Sequence, residues 1–85
     1  MKFSIRFKPT TSKELDQIPS LEAQRILEAI SKLELNPFPV GYKKLCNEEH
    51  KYRMRVGNYR ILYEVNFQES FVRVYRIKHR KDAYK

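Results

Sequence analysis

Residues 52–65, YRMRVGNYRILYEV, predict the centre of the fold, because a turn signal divides two short strands. Gly57 and Asn58 have the residue types of a two-residue hairpin turn. A turn of that length leaves the strands no freedom of register. The predicted cross-strand pairs are Val56 with Tyr59, Met54 with Ile61, and Tyr52 with Tyr63.

These pairs share one face of the hairpin, which is apolar and suits packing under a helix. The opposite face is mostly charged, with Arg53, Arg55, Arg60, Leu62 and Glu64. Arg55 is predicted directly across from Arg60, and like charges in that arrangement destabilise a sheet. A bound polyanion would remove this cost, so the pattern favours phosphate binding. The alternative is a solvated face on which long arginine side chains spread their charges apart.

The chain before the hairpin predicts one strand followed by two helices. Residues 2–8, KFSIRFK, alternate apolar and polar side chains, which is typical of a strand, and Pro9 ends it. Thr11 and Glu14 have the spacing of a capping box. A short helix is therefore expected from there to about Ile18.

The second helix is predicted to be amphipathic, with Ser20 as its N-cap. It must end near Asn36, because Pro37 disfavours helix in the residue before it. Residues 36–51 show no sustained period and are interpreted as a loop that leads to the sheet. The apolar stripe of the helix comprises Ala23, Ile26, Leu27, Ile30 and Leu33.

Residues 70–80, SFVRVYRIKHR, predict a last long strand. With uninterrupted alternation, the side chains that join the arginine face are Val72, Val74, Arg76, Lys78 and Arg80. Those that join the core are Phe71, Arg73, Tyr75 and Ile77. Tyr75 is therefore interpreted as a core or rim residue and not as a platform for stacked bases. The predicted order is β-α-α-β-β-β, an antiparallel sheet with two helices packed on one face, in the α+β class.

Length and composition limit the class of protein. Eighty-five residues suffice for one domain, predicted to span residues 1–85. No apolar run reaches the roughly 18 residues of a membrane span. The only cysteine, Cys46, allows no internal disulfide, so a cytoplasmic location is expected. The net charge is +8, and residues 51–85 contribute +7 of it, with ten basic against three acidic side chains. That asymmetry favours a polyanionic partner, nucleic acid before an anionic membrane.

Three segments together resemble the RelE/ParE superfamily of toxins, on the RelE side. They are the hairpin YRMRVGNYRILYEV, GYKKL at residues 41–45 and RIKHRKDAY at residues 76–84. The resemblance implies a toxin of a type II toxin–antitoxin pair that cleaves messenger RNA in the ribosomal A site. It also implies a cognate protein antitoxin that neutralises the toxin. No metal is expected, since the sequence lacks an Asp, Glu and His cluster with metal-ligand spacing. No small-molecule cofactor or membrane partner is expected either.

The resemblance also implies the site residues. The positions that correspond to catalytic residues of the family are Arg53, Arg55, Arg60, Arg80 and Tyr84. Arginine keeps its proton at any working pH, so these positions suit charge stabilisation, and the general base stays open. A second group of expected RNA contacts comprises Lys43, Lys44, Arg76, Lys78 and Lys81. His79 is interpreted as a structural residue at the sheet edge.

Two other functions stay open at this point. A ParE-like toxin shares the fold but poisons DNA gyrase and needs no catalytic residues, although it has less use for clustered arginines. A catalytically inactive relic of a toxin would keep the fold and lose the chemistry.

Overall fold

The computed structural model of the chain describes residues 2–45 and 49–81. Its elements, in chain order, are β1 (Ser4–Phe7), α1 (Pro9–Asp16), α2 (Ser20–Ser31), a short 3₁₀ helix (Lys32–Glu34), β2 (Lys43–Lys44), β3 (Lys51–Val56), β4 (Tyr59–Asn66) and β5 (Phe71–His79). The α+β class and the two helices between the first strand and the hairpin are confirmed. In the part of the chain described, no helix is long and apolar enough to cross a bilayer.

The hairpin of β3 and β4 has the predicted register. Val56 pairs with Tyr59, and Arg55 pairs with Arg60 on the opposite face. Gly57 has a φ of +57°, in the left-handed region that glycine enters without steric cost. The sequence of the turn therefore sets which side chains face the core.

The prediction of an all-antiparallel sheet is wrong at one edge. The strand order is β1-β5-β4-β3-β2, and β1 runs parallel to β5. Parallel neighbours require a long crossover connection, which the intervening chain with its helices and hairpin supplies. The loop predicted over residues 36–51 also contains the two-residue strand β2, which pairs with β3.

The predicted capping box does not form. The first helix begins earlier, at Pro9, with Lys8 as an extended N-cap that makes no side-chain capping bond. Proline suits this first position because its fixed φ is helical and its missing N–H would be unpaired anyway. Glu14 instead reaches the edge of β5, where its Oε1 accepts a hydrogen bond from the Ile77 backbone N–H at 3.1 Å.

The second helix begins at Ser20, but Pro19 is the N-cap and no side chain caps the helix. The predicted apolar stripe is buried at Ile26 and Ile30 of α2 and at Leu33 of the 3₁₀ helix, whereas Leu27 remains 42% exposed. These side chains meet one continuous core, to which the sheet contributes Tyr52, Met54, Ile61, Tyr63, Val65, Val72, Val74 and Ile77.

A β-bulge in β5 reverses the alternation that the sequence predicted. Leu62 pairs with Arg76 and the next residue, Tyr63, pairs with Val74, so Tyr75 is the extra residue of β5 at this point. The extra residue puts the side chains before it and after it out of phase, so residues 71–74 take the faces opposite to those predicted. Val74 consequently lies in the core with no exposed surface.

The bulge corrects the predicted faces of the first half of β5. Val72 is fully buried on the core side and does not join the arginine face. Arg73 lies on the arginine face, where its Nε is 3.3 Å from Oε1 of Glu64. Phe71 shares that face, and the guanidinium of Arg6 lies over its ring at 4.0 Å.

Candidate functional site

Three basic side chains lie in register across the middle of the open face of the sheet. Arg55 on β3 pairs with Arg60 on β4, and Arg60 pairs on its other side with Lys78 on β5. Directly paired residues in antiparallel strands have Cβ atoms about 4.5–5.5 Å apart, so the row concentrates positive charge in a small area. Packing cannot explain it, because the core lies on the other face.

A second pair extends this row towards the edge of the sheet. Lys43 on β2 pairs with Arg53 on β3, on the same face as Arg55. We refer to these five side chains as the cationic face: Lys43, Arg53, Arg55, Arg60 and Lys78. The predicted RNA contacts Lys43 and Lys78 thus join the three predicted hairpin arginines.

The cationic face has a hollow between β2 and the hairpin. A cavity of about 200 Å³ is lined by Gly41, Lys43, Arg53, Met54, Arg55 and Arg60. Gly41 turns the chain into β2 with a φ of +91°, a conformation that side chains rarely adopt. The chain therefore presents four cations around a space that fits a small anionic group.

Arg80 joins this site from the end of β5. Its backbone N–H donates a hydrogen bond to the Asn58 carbonyl at 2.7 Å, which ties the chain after β5 to the hairpin turn. A small cavity of about 70 Å³ is lined by Arg55, Asn58, Tyr59, Arg60 and Arg80. The turn and the strand end together bring a third arginine to the Arg55–Arg60 pair.

The remaining predicted site residues are not part of the cationic face, although Arg76 pairs with Leu62 on the same side of the sheet. Lys44 pairs with Tyr52, so it has the opposite orientation from Lys43. The Nε of Arg76 is 3.9 Å from Oε2 of Glu14 and is drawn towards the sheet edge. Lys81 follows β5, and its backbone N–H donates to Nδ1 of His79 at 3.2 Å. Tyr84 lies outside the described residues.

His79 lies on the same face of β5 as Ile77, as the sequence predicted. It pairs with Tyr59 at the core side of the sheet, and the two rings meet edge to face with centroids 5.1 Å apart. Burial, and then a hydrogen bond to Glu22, raises the pKa of the Tyr59 phenol. Both rings thus lie across the sheet from the cationic face.

Charge on the open face is only partly balanced. Glu64 lies on this face, but its carboxylate is engaged by Arg73. The Arg55 Nε–H donates to the Gly57 carbonyl at 3.0 Å, which holds its side chain near the turn. In the part of the chain that the structure describes, His, Cys, Asp and Glu form no group of three placed to hold a metal ion. The chemistry that this face offers is therefore the binding of anionic oxygens.

Comparisons with known proteins establish the family of this chain. Residues 5–84 match the family described as ParE toxin of type II toxin–antitoxin system, parDE. The toxin RelE3 of Methanocaldococcus jannaschii is 36% identical over 84 residues, which cover 94% of this chain and 93% of the relative. The family match spans nearly the whole chain, so the chain belongs to the RelE/ParE superfamily. It is a toxin of a type II toxin–antitoxin system.

Solved structures with similar folds refine this assignment. The archaeal RelE–RelB complex from Pyrococcus horikoshii contains a chain with a TM-score of 0.84 and 28% identity, covering 94% of this chain and 97% of that one. A RelB–RelE complex from Methanococcus jannaschii has a TM-score of 0.77 and 31% identity, with coverage of 94% and 95%. Within the superfamily, these relatives carry the RelE name.

Proposed function

We propose that the protein is a ribosome-dependent endonuclease that cuts messenger RNA and so inhibits translation. The observation that carries this proposal is the row of Arg55, Arg60 and Lys78, with Arg80 at its end. Such a surface costs stability in the free protein and suits a ligand with closely spaced phosphates. Ribosomes carry out translation in the cytoplasm, so this is where the toxin would act.

The chemistry requires no cofactor in this proposal. The 2′-oxygen of one nucleotide attacks the adjacent phosphorus, its proton departs, and the bond from phosphorus to the 5′-oxygen breaks. That oxygen then takes up a proton, which leaves a 2′,3′-cyclic phosphate and a 5′-hydroxyl. Extra negative charge develops on the phosphoryl oxygens, and preorganised guanidinium donors stabilise it.

The arginines stabilise charge but do not remove the 2′ proton, because a guanidinium keeps its protons. Alignment of the attacking oxygen with the breaking bond must therefore contribute much of the rate. Holding reacting groups in line contributes roughly 7–11 kcal/mol of a barrier. The ribosome is proposed to provide that alignment by fixing the message in its A site, which is why naked RNA should be cut slowly.

The proposal is tested with purified toxin, ribosomes carrying a message in the A site, and primer extension of the products. Arg60→Ala and Arg80→Ala should each slow single-turnover cleavage by about 10²–10³-fold, the scale of one lost oxyanion donor. Arg25→Ala is the matched control, because Arg25 is exposed on α2, across the core from the sheet face. Cleavage of naked RNA as fast as ribosome-bound message would contradict the proposal.

We further propose that a cognate antitoxin binds and neutralises this toxin, since the relatives from Pyrococcus horikoshii and Methanococcus jannaschii form complexes with RelB. The net charge of +8 favours an acidic or mixed amphipathic segment, disordered when free, that folds over the cationic face or displaces the segment around Tyr84. Charge-swap variants of Arg53 and Arg55 should then weaken the complex in titration calorimetry. A solved complex with the cationic face fully open would overturn this mode of inhibition.

The second candidate function is inhibition of DNA gyrase, which the description of the matching family as a ParE toxin favours. The two functions separate when the toxin is induced in cells and labelled methionine and thymidine are followed together. Early loss of methionine incorporation supports the nuclease, and early loss of thymidine incorporation supports the gyrase inhibitor. Loss of neither would identify a relic.

A further inference from the structure

The bulge in β5 brings an aromatic residue to the open face. Without the bulge, Tyr75 would alternate with Ile77 and turn towards the core. The observed register leaves Tyr75 between the Leu62–Arg76 pair and the Tyr63–Val74 pair. A bulge disrupts the local ladder, and such features recur next to active sites, where they re-aim a side chain. The side chain re-aimed in β5 is a tyrosine.

Cationic and apolar groups surround the Tyr75 ring. The Nζ of Lys51 lies over the ring, 5.3 Å from its centroid. A cavity of about 620 Å³ next to the ring is also lined by Leu45, Leu62 and Lys78. Glu14 lines it as well, and its carboxylate is 3.9 Å from the Nε of Arg76. The ring is half-buried, so part of it faces solvent. An apolar floor with ammonium groups at its rim has the composition of a site for a nucleobase that is flanked by phosphates.

This cavity and the cationic face share one residue. Lys78 belongs both to the cationic row and to the lining of the cavity beside Tyr75. Lys78 follows Tyr75 by three positions along β5, a distance of about 10 Å at the usual rise of a strand. A short stretch of extended single-stranded RNA bridges that distance. A phosphate at the arginines therefore brings a neighbouring base to the tyrosine.

We propose that Tyr75 is a stacking platform for a nucleobase of the RNA substrate, on the strand path that leads away from the arginines. The inference rests on the proposed function, because it takes the cationic face to be the place where RNA binds. Every base has a π-face, so this contact holds the strand without reading its sequence. Tyr75 acts as a binding residue in this proposal, and the charge stabilisation remains with the arginines.

The experiment measures stacking directly and needs no cleavage. The probe is a short single-stranded oligoribonucleotide that contains 2-aminopurine and 2′-deoxy sugars, so that it cannot be cut. The emission of 2-aminopurine falls when it stacks on an aromatic ring, and the chain has no tryptophan that would obscure it. Anisotropy of a dye at the end of the probe reports binding independently of stacking.

Wild-type protein and Tyr75→Phe should both bind the probe and quench its emission, because both present a ring. Tyr75→Leu and Tyr75→Thr should bind about 10- to 100-fold more weakly, the range that base–aromatic stacking covers, and should lose the quenching at saturation. Leucine keeps the apolar volume and threonine suits a strand, so one of the two variants should retain the fold by circular dichroism.

Two results with the oligonucleotide probe would overturn the proposal. The first is quenching by Tyr75→Leu or Tyr75→Thr equal to that of the wild type, and the second is binding by the wild type without any quenching. The ribosome assay is read separately: a wild type that quenches the probe but cuts no message refutes the nuclease and leaves the stacking site. A wild type that cuts message with unchanged kcat and KM in Tyr75→Leu keeps the nuclease and refutes the stacking site.

Discussion

The charge on the open face makes a quantitative prediction for RNA binding. The cationic face consists of five side chains, and under the proposed function each neutralises one phosphate. Single-stranded binding has a slope of about −0.7 in log K against log salt for each neutralised phosphate. Five contacts give a slope of about −3.5, so affinity should fall about a hundredfold between 50 and 200 mM salt.

Arg55→Gln tests this figure at a single position. The slope should become less steep by about 0.7, because one counterion fewer is released. The fold should be little affected, since Arg55 is exposed and loses one hydrogen bond to Gly57, while its repulsion by Arg60 is removed. Each of these effects amounts to about a few tenths of a kcal/mol, and they have opposite signs.

The assay is fluorescence anisotropy of a labelled single-stranded oligoribonucleotide, titrated at four or five salt concentrations. Arg25→Gln removes the same charge from the exposed side of α2 and should leave the slope within error of the wild type. Equal slopes for Arg55→Gln and the wild type would refute the reasoning. Equal changes of the slope in Arg55→Gln and Arg25→Gln would show that the slope depends on net charge and not on the position of the arginine.

Four other predictions concern stability and the C-terminal segment. The buried Tyr63 hydroxyl donates to the Pro37 carbonyl at 2.7 Å, so Tyr63→Phe should cost about 1–2 kcal/mol and lower Tm by about 5–15 °C in a calorimetric scan. Burial raises the pKa of Tyr63 above its usual 10.0, and the neighbouring tyrosines raise it further. The folded state therefore keeps this proton to a higher pH than the unfolded chain does, and it loses stability as pH rises beyond 10.0. Urea titrations at pH 9 and 11 should show a smaller loss in Tyr63→Phe, and an equal loss would exclude this group. Glu14→Ala should destabilise the fold by about 1 kcal/mol by leaving the Ile77 N–H unpaired, whereas Glu14→Gln, which keeps an acceptor, should recover most of it in the same urea titration. Tyr84→Phe should keep most single-turnover cleavage if the ring stacks on a base, and a Phe variant as inactive as Tyr84→Ala would indicate that the hydroxyl transfers a proton.

The hairpin shows how far local sequence could predict this protein. Gly57 and Asn58 permit a two-residue turn, and that turn determines every pair between β3 and β4. The apolar period of α2 likewise predicted Ile26 and Ile30 as core residues. These predictions succeeded because a turn of set length and a helical period depend on residues that are close in the chain.

The candidate site was predicted in its residue types and only partly in its geometry. Arg53, Arg55 and Arg60 were expected on one face, and the hairpin register puts them there. Lys44 was expected with Lys43, but adjacent residues of a strand point to opposite faces, so only Lys43 lies with the arginines. A two-residue strand gives too weak a period for that distinction to be read from sequence.

The sequence by itself determined the hairpin, the amphipathic helix and the presence of a clustered positive charge, because each depends on neighbours within a few residues. The parallel pairing of β1 with β5 depends on contacts between residues far apart in the chain. The bulge at Tyr75 likewise depends on contacts between distant residues. It disrupts the β4–β5 ladder locally, while Val72 and Val74, which precede it, pack fully in the core. The alternation within β5 cannot predict this burial of Val72 and Val74, since the burial depends on side chains of other elements. Packing between distant elements therefore placed Tyr75 beside the cationic face.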